Sequence, residues 1–360
     1  MPDFTNIADI GETSLIERIA KIVNIRLDDR GIHDNLLLGI GDDTAVFRPT
    51  PGKAMLLTTD SFIEGVHFDL TFTSFLHLGW KAMAANLSDI ASMGGKPRYA
   101  TVAISLPQKI SLEMIEEFYR GAAEACKKYS CLIAGGDTTA SFANLAITVA
   151  LTGEAEEGRI LYRSGAKPGD LICVSGHLGA SYAGLKILQR EKQRFIDSPD
   201  PKGFEPNLAP YAPALEKHLM PKPRFDISTF LVEMVKTHSA IDISDGLASE
   251  VHRLCAASGT GAKIYEHNLP LDAITQFVAT EFSEPPYEYA LYGGEEYELL
   301  FTMDDKEFEV LESLTSDVTI IGRMTPKEDG IELVRENGES GPLAPAGWDH
   351  FRRDNKEKEE

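Results

Sequence analysis

The sequence has few cysteines and no long apolar run. Its longest apolar stretches, such as residues 145–151, are far shorter than the ~20 residues that a membrane-spanning helix needs. The first eleven residues lack a basic stretch followed by an apolar core, the pattern of a secretory signal. The four cysteines, Cys126, Cys131, Cys173 and Cys255, have no metal-ligand spacing, which favours free thiols in a reducing compartment. We therefore predict a cytoplasmic protein that has no membrane partner.

Basic residues are also scarce. The 360 residues include 35 Lys and Arg against 56 Asp and Glu, so the formal net charge is −21. This excess of negative charge argues against a nucleic-acid or anionic-membrane partner, because both would be repelled. The length allows two domains, and the 43% hydrophobic and 25% charged content is typical of a globular protein.

The common nucleotide-binding and catalytic signatures are missing. Neither Gly52-Lys53 nor Gly95-Lys96 is followed by Ser or Thr with the upstream glycine of a phosphate-binding loop. Residues 259–261 do not complete a G-x-G-x-x-G pattern, and the sequence has no protein-kinase signature and no nucleophile elbow. If this chain acts on phosphates, metal ions rather than a lysine-bearing loop must supply the positive charge.

Acidic residues occur at several places where an apolar run or a helix is predicted to end. Carboxylates and hydroxyls are the hard oxygen ligands that Mg²⁺ prefers, and neighbouring glycines let the backbone approach a phosphate closely. One such element would be explained as a turn cap, but several together favour a divalent cation that carries phosphates. These elements are Asp42-Asp43, Thr59-Asp60, Asp89, Gly136-Asp137, Asp242 with Ser244-Asp245, and Gly294-Glu295.

Three of these residues, and a basic candidate, allow a second interpretation. Asp89 falls in the last turns of a predicted helix, where the helix dipole disfavours a carboxylate, so either a metal or simple exposure could explain it. N-capping of the next helix by Ser244 or Asp245 would account for one of them and leave Asp242 unexplained. Arg163 is the best candidate for a cation that contacts phosphate, and a surface ion pair is its alternative.

Periodicity and turn residues predict an alternation of helices and strands. Helices are predicted over 13–29, 74–92, 111–129, 227–237, 247–258 and 305–314, with another that reaches about Lys192. Strands are predicted over 55–59, 99–106, 132–134, 143–151, 171–174, 297–303 and 318–322. Glycines and charges near 152–167 predict a boundary between domains 1–152 and 153–353, followed by a disordered charged tail over 354–360. Residues 195–223 are predicted to form a surface excursion and have no assigned role.

In their order along the chain, the short motifs resemble those of the thiamine-monophosphate kinase family. This family belongs to the superfamily of aminoimidazole ribonucleotide synthetase and selenophosphate synthetase. The segments that carry the resemblance are Gly39–Ala45, Thr59-Asp60 with His67, Asn86–Asp89, Gly135–Thr138, Arg163–Asp170, Ile241–Gly246, Gly293–Leu299 and Gly347–Phe351.

The resemblance implies an α/β (α+β-like) synthetase-type fold of two domains, in which the first-domain sheets of two subunits join across a homodimer. It also implies ATP-dependent phosphorylation of thiamine monophosphate to thiamine diphosphate with several Mg²⁺ ions. The transfer is expected to be direct and in line, with no covalent nucleophile or base. By position, the implied metal ligands are Asp43, Thr58, Thr59, Asp60, Asp89, Asp137, Asp242 and Asp245. The implied ATP contacts are Gly136, Asp137, Arg163 and Ser244, and the implied substrate contacts are His67, Glu295 and Trp348.

Two alternatives stay open from the sequence. One is a sister activity such as that of aminoimidazole ribonucleotide synthetase, although the ending Gly347–Phe351 favours the thiamine family. The other is a non-catalytic protein that binds divalent cations. The metal hypothesis further predicts that Asp43, Asp60, Asp89, Asp137 and Asp242 converge on one cleft.

Overall fold

The computed structural model describes residues 4–27, 30–41 and 43–348 and divides the chain into two compact units. Unit 1 comprises Met1–Leu161, Leu188–Pro206 and Leu219–Met234. Unit 2 comprises Tyr162–Ile187, Asn207–His218 and Val235–Glu360. The predicted tail 354–360, Asp42 and the last residues of the 347–351 motif lie outside the described residues.

The described elements confirm a mixed α/β protein. The helices are α1 Ile7–Val23, α2 Arg30–Asn35, α3 Phe75–Ser92, α4 Leu112–Tyr129, α5 Ala180–Ile196, α6 Ala212–Leu219, α7 Phe225–Glu233, α8 Leu247–Ser258, α9 Ala273–Phe282, α10 Pro286–Tyr292 and α11 Asp305–Leu314. The strands are β1 Leu36–Leu38, β2 Val46–Phe47, β3 Lys53–Ile63, β4 Lys96–Pro107, β5 Leu132–Ser141, β6 Ala146–Glu156, β7 Leu171–Ser175, β8 Ser239–Asp242, β9 Gly261–Tyr265, β10 Leu299–Met303, β11 Val318–Thr325, β12 Ile331–Val334 and β13 Ser340–Pro342. None of the described helices is long and apolar enough to cross a membrane.

Unit 1 is built on a four-stranded sheet in the order β3-β6-β4-β5. Only the β4–β5 pair is parallel. The buried helix α3 begins where the Ser74 hydroxyl accepts a hydrogen bond from the amide of His77 at 3.3 Å, and it packs on β3, β6 and α4. Glycines allow the close α3–α4 contact, because a Cβ at Gly79 would stand 1.9 Å from the Phe118 carbonyl oxygen. The opposite face of the sheet is not covered by these helices.

The burial of residues along β3 distinguishes the two faces of this sheet. The even-numbered residues of β3 face the helices, and Phe62 is buried there. Its odd-numbered residues lie on the other face, where Met55, Leu57 and Ile63 are 41%, 76% and 39% exposed. Because successive side chains of a strand alternate between the faces, these apolar residues share one uncovered surface.

Unit 2 contains a seven-stranded mixed sheet in the order β13-β12-β9-β11-β7-β10-β8. Its core includes Ile172, Val174, Ile241, Leu254 and Leu300, which are almost fully buried. Because β8 is the edge strand, its outer amides need partners other than a sheet strand. One is supplied locally, since the amide of Ala240 donates to the Tyr162 carbonyl at 2.8 Å.

Several predicted elements are confirmed with nearly the predicted bounds. These are the helices at 74–92, 111–129, 247–258 and 305–314. The first helix begins at Ile7 instead of Thr13, with Asn6 as its cap and a non-helical break at Gly11, and it ends at Val23 rather than residue 29. The predicted surface excursion 195–223 is wrong in part, because it contains α6, whose Ala214, Leu215 and His218 are buried.

Candidate functional site

The first group of predicted ligands lies between β3 and α3 in unit 1. The Thr58 hydroxyl donates a short hydrogen bond to Oδ2 of Asp89, which is half-buried three residues before the end of α3. Asp60 follows two residues after Thr58, so it projects from the same face of β3. The Thr59 side chain is on the other face, where its hydroxyl donates to the Val149 carbonyl at 3.1 Å. The structure therefore gathers Thr58, Asp60 and Asp89 on the helix-covered side and separates Thr59 from them.

Gly136 and Asp137 lie inside β5, which continues through the glycines to Ser141. This corrects the prediction that the strand ends at residue 134 and that Asp137 follows it. The reason is steric: a Cβ at Gly136 would stand 2.1 Å from the Val102 carbonyl oxygen, so a glycine is needed for the pairing with β4. Asp137 pairs with Ala103 and is exposed on the uncovered face of the sheet.

The sheet order keeps the two groups of unit 1 apart. β3 and β5 are opposite edges of four strands, so Asp60 and Asp137 are separated by three strand spacings, roughly 14 Å. Asp43 is exposed in the loop between β1 and β2. This loop lies beside the start of β5, since a Cβ at Gly39 would be 3.9 Å from the Ala134 carbonyl oxygen.

His67 is held at the end of β3. The amide of Ile63 donates to Nδ1 of His67 at 3.1 Å, and the ring lies 5.7 Å from the Phe62 ring, centroid to centroid. Because Nδ1 accepts a hydrogen bond, the neutral ring carries its proton on Nε2.

Three separate segments of unit 2 meet at the backbone of Ser244 and Asp245. The amide of Glu295 donates to the Ser244 carbonyl at 2.6 Å, and the amide of Trp348 donates to the Asp245 carbonyl at 3.0 Å. Glycine makes both approaches possible, because a Cβ at Gly347 would stand 2.3 Å from the Asp245 carbonyl oxygen. The structure thus brings Ser244, Asp245, Glu295 and Trp348 together at one place.

Asp242 and Asp245 have different surroundings in this loop. Asp242 is buried at the end of β8, paired with Leu299. Asp245 forms an ion pair with Arg253, which also binds the buried Glu250. Burial raises the pKa of Glu250, although Arg253 opposes the shift. Neither Ser244 nor Asp245 caps α8, so the capping interpretation is wrong; the N-cap is Gly246, with a φ of 111° and no side-chain hydrogen bond.

Arg163 lies at the other end of β8. Its neighbour Tyr162 is bonded to Ala240, and its own carbonyl accepts from the Ser258 hydroxyl at 3.3 Å, at the last residue of α8. Since α8 has 12 residues, its two ends are about 18 Å apart, and Ser244 lies near the first one. The Arg163 backbone is therefore not beside the Ser244 loop.

Sequence reasoning missed the buried charges that follow Glu295. Oε1 of Glu296 accepts from the amides of Gly179 and Ser181, at 2.8 and 3.1 Å, at the start of α5. Glu298 accepts from the Ser175 hydroxyl at 2.6 Å. Burial raises the pKa of Glu296 to about 7, against the effect of the nearby Lys217. The available signal was the spacing of acids in residues 295–298, in front of a mostly apolar strand.

Within either unit, no three His, Cys, Asp or Glu side chains of the described residues lie together in a group that could hold a metal ion. The predicted ligands occur instead as pairs and short rows on separate elements. The prediction that five aspartates converge on one cleft spans both units and stays a prediction.

Comparisons with known proteins also give two parts. The family model described as "AIR synthase related protein, N-terminal domain" matches residues 41–155, and its C-terminal counterpart matches residues 167–334. The thiamine-monophosphate kinase of Aquifex aeolicus (strain VF5) is 35% identical over 343 residues, which cover 95% of this chain and 99% of that protein. The chain belongs to the thiamine-monophosphate kinase family. It is accordingly an enzyme of the kinase class, which decides against the non-catalytic alternative.

Solved structures agree with this membership. The thiamine-monophosphate kinase from Stenotrophomonas maltophilia K279a superposes with a TM-score of 0.76 at 31% identity, covering 91% of this chain and 96% of that one. AaThiL complexed with AMPPCP and TMP gives a TM-score of 0.71 at 34% identity, covering 96% and 98%. The fold predicted from the resemblance, two domains of the synthetase type, is therefore confirmed.

Proposed function

We propose that this enzyme transfers the terminal phosphoryl group of ATP to thiamine monophosphate and so forms thiamine diphosphate. The observation that carries this is the meeting of three distant segments at the Ser244-Asp245 backbone, which brings an implied nucleotide contact beside two implied substrate contacts, Glu295 and Trp348. The family relatives support the same reaction, since AaThiL was solved with AMPPCP, an ATP analogue, and TMP.

The residues suit a direct transfer. The acceptor is itself a phosphate, which is already a nucleophile, so no enzyme base or covalent intermediate is needed. The Trp348 ring is 52% exposed and offers a flat face on which the cationic thiazolium ring of the substrate can lie. Glu295 and His67 are proposed to orient the substrate. Gly136, Asp137, Arg163 and Ser244 are proposed as ATP contacts.

The donor set fits magnesium. Thr58, Asp60 and Asp89 present only hydroxyl and carboxylate oxygens, and the Thr58–Asp89 hydrogen bond shows that two of these donors already approach each other. We propose that these three side chains hold magnesium, and that Asp43, Thr59, Asp137, Asp242 and Asp245 are further magnesium ligands. When bound, magnesium supplies charge neutralisation between donor and acceptor phosphates. Chelation should abolish turnover, and Asp60→Asn should raise the magnesium concentration needed for half-maximal rate while melting stays unchanged.

We also propose a homodimer that forms through the uncovered face of the unit 1 sheet. Met55, Leu57 and Ile63 are exposed there in alternating positions of one strand. Their neighbours on the same face are small or β-branched, such as Ala103 and Thr148, so a second sheet can approach closely. Burying this apolar row against a partner's sheet removes it from water.

The proposed compartment is the cytoplasm. All four cysteines are free and buried, which suits a reducing environment.

The test is an assay that separates thiamine diphosphate from its monophosphate. The purified full chain with ATP and magnesium should form thiamine diphosphate and ADP in equal amounts. Free thiamine should not be phosphorylated at a comparable rate, because it lacks the attacking phosphate. Failure to form thiamine diphosphate, or efficient turnover of free thiamine, would refute the proposal. Turnover of the aminoimidazole ribonucleotide synthetase substrate instead would establish the sister activity.

A further inference from the structure

A short helix from the stretch without an assigned role supplies charged side chains to the Glu295–Glu298 segment of unit 2. Helix α6 presents the consecutive residues Lys217 and His218. Lys217 forms a short ion pair with Glu298, and its Nζ is 3.9 Å from Oε2 of Glu296. Nδ1 of His218 is 3.5 Å from Oε2 of Glu295 and 3.3 Å from the Ser181 hydroxyl oxygen.

Helix α6 packs closely against α5, and this packing restricts the side chains that make these contacts. A Cβ at Gly184 in α5 would stand 2.3 Å from the Ala214 carbonyl oxygen and 3.0 Å from Cβ of His218. Only a glycine at this position lets α6 lie so close. His218 is 4% exposed, so its ring has little freedom to turn away from Glu295.

The segment that these side chains contact has a strained backbone. Glu295 and Tyr297 have φ values of 62° and 53°, in the left-handed region that side-chain-bearing residues seldom adopt. Such a strained backbone conformation persists only where the surroundings hold it. The surroundings here are the hydrogen bonds of Glu295 and Tyr297 to the Ser244 and Ile243 carbonyls, at 2.6 and 2.8 Å, and the buried carboxylates of Glu296 and Glu298.

Those carboxylates depend on a cation. Glu296 is fully buried and Glu298 is 3% exposed, so two carboxyl groups lie two residues apart in a medium that screens charge poorly. Lys217 is placed against both of them. Without it, the segment would have to protonate, admit water or move, because a buried unpaired carboxylate is costly.

We propose that Lys217 and His218 are positioning residues for the thiamine monophosphate site, acting through Glu295. Lys217 neutralises the carboxylates that hold the left-handed segment in place, and His218 orients the Glu295 carboxylate. The inference rests on the proposed function, in which Glu295 contacts the substrate. It gives residues 212–219 a role in substrate affinity although none of them is required to touch the substrate.

The experiment is a double-mutant cycle in the full-length enzyme, with His218→Asn, Glu295→Gln and the double variant. Two readouts are taken: the KM values for thiamine monophosphate and ATP, and the rise in melting temperature that thiamine monophosphate alone produces. Because His218 is proposed to orient the Glu295 carboxylate and Glu295 to contact the substrate, each single change should raise the KM for thiamine monophosphate roughly tenfold to a hundredfold. The KM for ATP should stay within about twofold. The KM of the double variant for thiamine monophosphate should be no higher than that of the more impaired single variant, since both changes act through one carboxylate.

Lysine variants test the second half. Lys217→Met should raise the KM for thiamine monophosphate, and Lys217→Arg should largely restore it by keeping the charge. Lys263→Met is the matched control, because it removes a lysine from an exposed pair with Glu332, at 3.4 Å, in the same unit. It should change neither readout.

The outcomes separate the two claims. Multiplicative effects in the cycle, an equal rise in the KM for ATP, or no recovery with Lys217→Arg would overturn the inference while wild-type turnover upholds the proposed function. If the wild type binds thiamine monophosphate without turning it over, the proposed function fails and the melting readout still decides the cycle. If the wild type does not bind it, both claims are refuted.

Discussion

Glu296 should make the stability of the protein depend on pH in a direction that one substitution reverses. Burial raises the pKa of its carboxyl from the ordinary 4.5 to about 7 in the folded state. The folded protein therefore binds the proton more tightly than the unfolded chain does. The stabilising contribution is fully present below pH 4.5 and is lost as the pH rises through about 7.

The magnitude follows from the two pKa values. The difference between about 7 and 4.5, at about 1.36 kcal/mol per pH unit, corresponds to about 3 kcal/mol. About 2 kcal/mol of this falls between pH 5 and pH 8. The charged groups that act on Glu296 are Lys217 on α6 and Glu298 on its own segment.

The perturbation is Glu296→Gln. The glutamine carbonyl can accept the same two hydrogen bonds from Gly179 and Ser181, but it carries no charge to bury. Melting scans of the variant and the wild type are compared at pH 5 and pH 8. For a domain of this size 1 kcal/mol corresponds to roughly 2–4 °C, so the variant should gain about 4–8 °C on the wild type between the two pH values.

Two control variants make the result specific. Glu312→Gln removes an exposed carboxyl from α11 and should show no such gain. Glu296→Leu keeps the bulk but cannot accept from the start of α5, so it should be destabilised at both pH values. A wild type and a Glu296→Gln variant whose melting temperatures differ equally at pH 5 and pH 8 would refute the reasoning.

Three further predictions concern the sheet, the dimer and the substrate site. In melting scans, Gly136→Ala should lower stability by about 1–3 kcal/mol, because its Cβ would stand 2.1 Å from the Val102 carbonyl oxygen. Gly135→Ala should have little effect in the same scans, because its Cβ would be 3.6 Å from Cγ2 of Thr101. In light scattering, Leu57→Asp should convert a dimer into a monomer of 39.5 kDa, and Val310→Asp on α11 should leave the dimer intact. A wild type that is already monomeric at micromolar concentration would contradict the dimer. In calorimetry, Trp348→Ala should weaken thiamine monophosphate binding by roughly 0.5–2 kcal/mol and leave the ATP affinity and the melting temperature unchanged. A lower melting temperature together with weaker binding of both ligands would make Trp348 a structural residue.

The parts of the fold that the sequence predicts are those set by local rules. Helices α3 and α4 begin directly after Ser74 and Ser111, because each serine hydroxyl accepts an amide hydrogen bond of the first turn. Helices α8 and α11 were predicted with the bounds they have, since their apolar residues recur at helical spacing and turn residues end them. These signals are contained in the segments themselves.

The parts that were missed depend on contacts between distant residues. The glycines at 135 and 136 looked like the end of a strand, but Gly136 continues β5 because the Val102 carbonyl leaves no room for a side chain. The proline-rich surroundings of α6 give no helix signal, and its contacts are with distant residues: Lys217 pairs with Glu298, and the Ala214 carbonyl approaches Gly184 closely. The signal for a long-range contact is a residue type that local rules explain badly.

The site residues illustrate the same limit from the other side. The resemblance assigned separate roles to Ser244, Asp245, Glu295 and Trp348, and nothing in their spacing of about a hundred residues predicts the contact between their backbones that the structure shows. What joins them is backbone: the Ser244 and Asp245 carbonyls each accept one amide from another segment. Glycines beside those amides remove the side chains that would keep the segments apart. An acidic residue next to a glycine therefore indicates both a candidate ligand and a place where two chain segments come into contact. In unit 2 the structure shows such contacts between segments. Because each contact needs two motifs, these short motifs identify the family only in combination.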